Sequence, residues 1–143
     1  MSAREQGKLY FQKGKFSAAA DAYTEAITLE PSEAALYQNR ALCYQKLSRW
    51  QNVFEDASKA TELEKGSVKA HYLIGNALCE LDKLDEAEKA FETALTLSNS
   101  PQFSSYRGSI EAGLYGVKSR RQDKEREREE KEEEEAVTRG ESW

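Results

Sequence analysis

Two small-residue phases recur in this chain every 34 residues. Gly7, Ala41 and Gly75 share one phase; Ala26, Ala60 and Ala94 share the other. A small residue that returns at a fixed phase marks a place where two helices must come close in every copy of a unit. One such unit cannot bury its own apolar face, but several stacked in line can. The recurrence therefore predicts an all-α solenoid of three helix–turn–helix units. It also predicts a protein that holds something along a groove rather than one that performs chemistry.

The first unit carries Gly7, Tyr10, Gly14, Phe16, Ala19, Tyr23, Ala26 and Pro31. The second keeps Tyr37, Ala41, Tyr44, Trp50 and Ala60. It has Ser48, Val53, Ala57 and Lys65 at the phases of Gly14, Ala19, Tyr23 and Pro31. The third keeps Gly75, Ala87, Phe91 and Ala94, sets His71 at the phase of Tyr37, and displaces its proline to Pro101. Over roughly residues 3–99 this pattern resembles the tetratricopeptide repeat (TPR) family. Small residues at 7, 41 and 75 let the first helix of a repeat approach the second, while Tyr10, Tyr23, Tyr44 and Phe91 fill the space beside that contact. Gly14 and Pro31 suit turns, because glycine accepts positive φ and proline cannot continue a helix. Helices are predicted at about 2–14, 17–30, 34–47, 50–63, 68–81 and 84–97. Three repeats would occupy residues 1–101, at about 3–33, 34–67 and 68–101.

Beyond Pro101 the chain changes character. Residues 102–121 mix Ser and Gly with Phe103, Tyr106, Ile110, Leu114 and Tyr115. They are expected to form a capping helix anchored by Ile110, Leu114 and Tyr115, although three glycines weaken it. A solenoid needs such a cap, since its last repeat otherwise exposes a core face. Residues 122–143 are a charged tail, helical through opposite-charge pairs or disordered toward Trp143.

Composition narrows the function classes. The chain has 143 residues, a net charge of −5, 33% charged and 38% hydrophobic residues. No apolar run approaches the ~20 residues that span a bilayer. The start MSAREQGK has no apolar stretch of the secretory kind. Cys43 and Cys79 lack metal-ligand spacing and read as reduced, largely buried thiols, which suits the cytoplasm or the nucleus. Catalytic motifs such as HExxH, GxSxG and the P-loop are missing from the sequence, and no cofactor, metal site or membrane is expected. His71 reads as a packing or groove residue. The pairs Glu55–Asp56 and Asp85–Glu86 read as solvated faces of second helices. Lys118–Arg121 could be a nucleic-acid patch, but Asp123 to Glu135 holds nine acids against four bases. That balance repels phosphate and argues against nucleic acid.

In the TPR family the first helices of successive repeats line a concave surface. Here those helices carry Arg4 and Lys8, four apart and so on one face, then Asn39, then Lys69. Three cations and an amide on one groove favour an anion site. Chaperone-binding members of the family carry a carboxylate clamp. Its motif resembles Lys-Glu-Gln-Gly-Asn, then Asn-Arg-Ala, then a Lys that opens the third repeat. This chain reads Arg4-Glu5-Gln6-Gly7-Lys8, then Asn39-Arg40-Ala41, then Lys69. Lys8 stands where the clamp has asparagine, and Leu73 where many clamps have arginine. The strings NRALCYQK and SVKAHYLIG are similar to the CHIP-like co-chaperone ubiquitin ligases, which also follow three repeats with a long charged helix.

The resemblance implies a module that grips the C-terminal Glu-Glu-Val-Asp of cytosolic heat-shock-seventy and heat-shock-ninety chaperones. Arg4, Lys8, Asn39 and Lys69 would hold the carboxylates, and Tyr72 and Leu73 would form an apolar wall. No ubiquitin-ligase module follows the repeats, so the chain is expected to be no enzyme itself: either part of a longer ligase or an adaptor. The alternative is a scaffold that binds an internal peptide or a folded partner without a clamp.

Overall fold

The computed structural model describes residues 1–141, and every regular element among them is helical. The helices are α1 (Ala3–Gln12), α2 (Phe16–Leu29), α3 (Ala34–Lys46), α4 (Trp50–Leu63), α5 (Val68–Glu80) and α6 (Leu84–Leu97). A 3₁₀ turn (Pro101–Phe103) then leads into α7 (Ser104–Thr138). Neighbours in sequence are neighbours in space: each helix packs on the next, α3 also meets α5, and α7 covers α5 and α6.

The 34-residue phase governs the turns as well as the packing. Gly14, Ser48 and Asp82 stand at one phase, and all three are left-handed, with φ of 75°, 56° and 65°. Each closes the first helix of its repeat with the same backbone bond. Lys15 N donates to Tyr10 O at 2.8 Å, Arg49 N to Tyr44 O at 2.9 Å, and Lys83 N to Leu78 O at 2.8 Å. Such a bond satisfies carbonyls that a helix end leaves unpaired. The loops between repeats are pinned in phase too. Tyr37 Oη donates to the Pro31 carbonyl at 2.9 Å, and His71 Nε2 engages the Lys65 carbonyl at 3.1 Å. His71 is thus a packing residue, tying a loop to α5.

Small residues at the predicted phases admit large ones. A Cβ on Gly7 would lie 2.8 Å from the Tyr23 ring, and one on Gly75 would lie 2.6 Å from Phe91. Phe91 is 1% exposed and centres the cluster formed with Val68, Leu78, Leu84, Ile110 and Val117. The second repeat adds a polar tie. Asp56 is buried, and accepts from Arg40 Nε and Nη2 at 2.7 Å each. Arg40 Nη1 also donates to Thr24 at 3.1 Å, and the guanidinium lies 5.9 Å from the rings of both Tyr37 and Tyr44. One guanidinium joins α2, α3 and α4. Asp56 is therefore not on a solvated face as its pattern suggested, whereas Glu55, Asp85 and Glu86 are exposed.

α7 is one unbroken helix across residue 121, so cap and stem are continuous. Ile110 and Val117 are fully buried against the third repeat and Leu114 is half-buried. Tyr115 corrects the expected anchor set: it is 77% exposed, because Ile110, Gly113 and Val117 take the inner face at helical spacing. Gly113 is itself a contact, since a Cβ there would lie 2.7 Å from Phe91. The two arginines of the basic run are spent on the third repeat, while Lys118 is exposed. Arg120 pairs with Glu80 at 3.1 Å, Arg121 with Asp85 at 3.1 Å and Glu88 at 2.5 Å, and Lys124 with Asp82. Farther out the stem is supported by its own pairs, such as Arg126–Asp123 and Arg128–Glu132, both at 3.1 Å. Ser142 and Trp143, where disorder was expected, lie outside the described residues.

Candidate functional site

α1 presents Arg4, Lys8, Phe11 and Gln12 as a stripe, the consequence of spacings of three and four on a helix. α3 faces that stripe with Asn39 and Leu42, and Tyr23 closes the floor from α2. Together these side chains line a cleft of about 410 Å³. Three of the four predicted polar residues, Arg4, Lys8 and Asn39, are thereby brought to one place. Burial pushes the Tyr23 phenol up, while the charge of Arg4 pulls it back toward its ordinary value.

Lys69 stands apart from this cleft, half-buried on the second position of α5. Burial draws its ammonium below the usual lysine range, because the charged form has lost part of its hydration. Among the described residues, neither Arg4, Lys8 nor Lys69 has an acidic partner. On α7, by contrast, Arg120, Arg121, Lys124, Arg126 and Arg128 are each paired with an acid. Arg4 and Lys8 at the cleft and the half-buried Lys69 on α5 are thus left without a compensating charge among the described residues.

Leu73 is withdrawn as a contact residue. It is 1% exposed and packs with Ala41, Val53, Ala57 and Ala77. An apolar side chain at this phase folds back between repeats two and three, where Asn39 at the equivalent phase stays at the surface of the cleft. Tyr72 is half-buried with its ring 6.0 Å from Phe91, at the phase of Arg4.

A second cleft of about 540 Å³ was not foreseen. α3 contributes Gln45 and Lys46, α4 Trp50, α5 Asn76, Cys79 and Glu80, and α7 Gly113, Gly116 and Arg120, with Phe91 beneath. Its first-helix members could have been found by carrying the α1 stripe forward. Asn76 has the phase of Lys8; Gln45 and Cys79 have that of Phe11; Lys46 and Glu80 have that of Gln12. The α7 wall has no such signal, since α7 is not a repeat.

The cysteines are ordinary thiols. Burial raises Cys43 to about 11 and also raises Cys79, so neither is a thiolate near neutral pH. Among the described residues no group of three His, Cys, Asp or Glu side chains could hold a metal. No helix there is long and apolar enough to cross a membrane.

Comparison with known proteins agrees with this architecture. Residues 7–48 match a family described as TPR repeat, and residues 68–100 one described as tetratricopeptide repeat. The E3 ubiquitin-protein ligase CHIP of Arabidopsis thaliana is 46% identical over 94 residues, covering 66% of this chain and 34% of that protein. The chain thus spans about a third of the length of that relative. The TPR2B domain of yeast Sti1, solved as a complex with pHsp70, superposes with a TM-score of 0.78 at 29% identity. That match covers 82% of this chain and 94% of the Sti1 chain. The first TPR of Spaghetti (RPAP3), bound to the HSP90 peptide SRMEEVD, superposes at 0.67 with 32% identity, covering 79% and 90% of the two chains.

Proposed function

The chain belongs to the tetratricopeptide-repeat family, a class of protein-interaction modules, and from that premise we propose that its groove clamps the free C-terminus of chaperone tails of the Glu-Glu-Val-Asp type. The observation that carries this reading is the set of unpaired cations. Arg4 and Lys8 flank the first cleft with Asn39 opposite, and Lys69 waits half-buried on the next first helix. A peptide ending in aspartate offers two carboxylates at one point, its side chain and its terminus. Guanidinium, ammonium and amide donors fit that target, each charge-assisted bond being worth ~1.5–3 kcal/mol. Lys8 serves as a flexible point charge where the related clamps use a neutral amide. Tyr72 offers the remaining face of its ring to an apolar residue just upstream, and Leu73 supports it from the core.

Support also comes from the ligands named in the solved relatives, pHsp70 for Sti1 and SRMEEVD for Spaghetti. In this reading the chain recognises cytoplasmic chaperones as the reading half of a CHIP-like ubiquitin ligase, and conjugation chemistry lies outside these residues.

Substitution of Lys69 tests the assignment. Lys69→Ala should weaken tail binding by about 1.5–3 kcal/mol while the helical signal and melting temperature stay unchanged. Loss of affinity together with loss of helicity would make Lys69 structural. Unchanged affinity would remove it from the clamp.

A further inference from the structure

The second cleft takes its first-helix residues from the same phases as the first, farther along the chain of repeats. α3 belongs to both: Asn39 faces the first cleft and Lys46 the second. α7 builds the far wall, because Gly113, Gly116 and Arg120 share one side of that helix. Gly113 lies on the Phe91 ring, but nothing stands within 4 Å of where a Gly116 Cβ would be. Gly116 therefore leaves open space in the wall of the cleft.

Its charge is unbalanced. Arg120 reaches over from α7, donating to the Cys79 carbonyl and to Glu80, both at 3.1 Å. Lys46 comes from the opposite side and has no acidic partner among the described residues; its ammonium lies 6.0 Å from the Phe16 ring. Glu80 answers one of these two cations. Asn76 donates to Gln45 at 3.3 Å, and each of the two amides keeps N–H capacity that this bond does not use. A cleft with surplus positive charge, amides in its lining and open space at Gly116, in a protein of net charge −5, suits a carboxylate.

We infer that this cleft is a second anion subsite, in which Lys46 and Arg120 hold an acidic side chain of the bound peptide about three residues ahead of its last residue. The inference rests on the clamp reading of the first cleft, which sets the register. From Asn39 to Lys46 a helix rises about 10.5 Å at 1.5 Å per residue. An extended peptide covers that distance in about three residues. In a tail ending Glu-Glu-Val-Asp this position is the first glutamate. The occupant is thus an acidic, extended peptide read at two points, its terminus and one side chain upstream.

Calorimetric titration with SRMEEVD, and with the same peptide carrying Gln for its first or its second glutamate, tests the subsite. Both cations are partly exposed, so the first-glutamate change should weaken binding by about fivefold, and the second-glutamate change by less than about twofold. The double variant Lys46→Ala, Arg120→Gln should bind all three peptides within about twofold of each other. Gly116→Leu provides a second route. It fills the cleft without altering charge, favours the helix, and should abolish the same discrimination. Equal binding of all three peptides by the unaltered protein would overturn the subsite, as would full discrimination retained in both variants. Failure of the clamp itself reads differently, as equal affinity for the free-acid and amidated forms of SRMEEVD.

Discussion

Two glycines three residues apart in α7 should respond to the same substitution with opposite signs. Replacing glycine by alanine inside a helix gains ~1 kcal/mol, through lower backbone entropy in the unfolded chain. At Gly116 nothing opposes that gain, because no atom lies within 4 Å of the new Cβ. Gly116→Ala should raise the melting temperature by roughly 3 °C in a chain of this size. At Gly113 the new Cβ would lie 2.7, 2.8 and 3.2 Å from three atoms of the Phe91 ring. That ring has no room to retreat: it is 1% exposed, and the same edge already fills the place of a Gly75 Cβ at 2.6 Å. Overpacking of a closed site costs ~1–3 kcal/mol, which exceeds the helix gain. Gly113→Ala should therefore destabilise by about 1 kcal/mol and lower the melting temperature by roughly 3 °C. Gly108→Ala, also in open space, serves as the control and should behave like Gly116→Ala. Thermal unfolding of the three variants by circular dichroism measures the signs directly. If Gly113→Ala stabilises as much as the other two, α7 does not press on Phe91 and its role in closing the third repeat is refuted.

Two further outcomes follow from the polar groups. Asp56→Asn should cost about 3 kcal/mol in chemical denaturation, because it leaves the Arg40 guanidinium half-buried and uncompensated, whereas Glu55→Gln should cost under about 0.5 kcal/mol. A cost under about 1 kcal/mol for Asp56→Asn would show that the pair is dispensable. The second outcome concerns pH. Burial holds Lys69 below its ordinary value of 10.5, so the free protein loses that proton earlier than an exposed lysine does. A bound carboxylate favours the charged form and restores the proton. Tail affinity should therefore fall as pH rises toward 10.5, and binding in that range should take up protons. Calorimetry in alkaline buffers of different ionisation enthalpy measures the uptake; none would mean that Lys69 does not meet the peptide.

Most of the fold was legible because one geometric demand is written three times. The contact of first and second helix needs a small residue, and Gly7, Ala41 and Gly75 state it in sequence. Turn chemistry was less plain. Ser48 and Asp82 adopt the left-handed conformation of Gly14 without being glycine, and only the phase discloses it. The candidate site was partly legible. Arg4 and Lys8 share a face as their spacing implied, and Asn39 reaches the same cleft from α3. Leu73 was misplaced, because a first-helix position can turn inward or outward by a fraction of a turn, and an apolar side chain takes the inward choice. Asp56 was misread for a related reason: its pattern is that of a surface acid, and only the partner sixteen residues earlier, Arg40, explains its burial. The inward residues of α7 lay beyond the repeat and so beyond the periodicity argument. Tyr115 and Val117 are both plausible anchors in sequence, and the register of the helix on Phe91 decides between them.

The central claim is that Arg4, Lys8, Asn39 and Lys69 hold the free carboxylates of a chain terminus. Titration of the protein with SRMEEVD as the free acid and as its C-terminal amide tests it most directly. Amidation removes one of the two charges that these residues are proposed to hold and leaves the rest of the peptide unchanged. The account predicts at least about tenfold weaker binding of the amide, the equivalent of one charge-assisted bond. Equal affinity for the two peptides would contradict it, and would favour a groove that reads internal sequence or a folded partner instead.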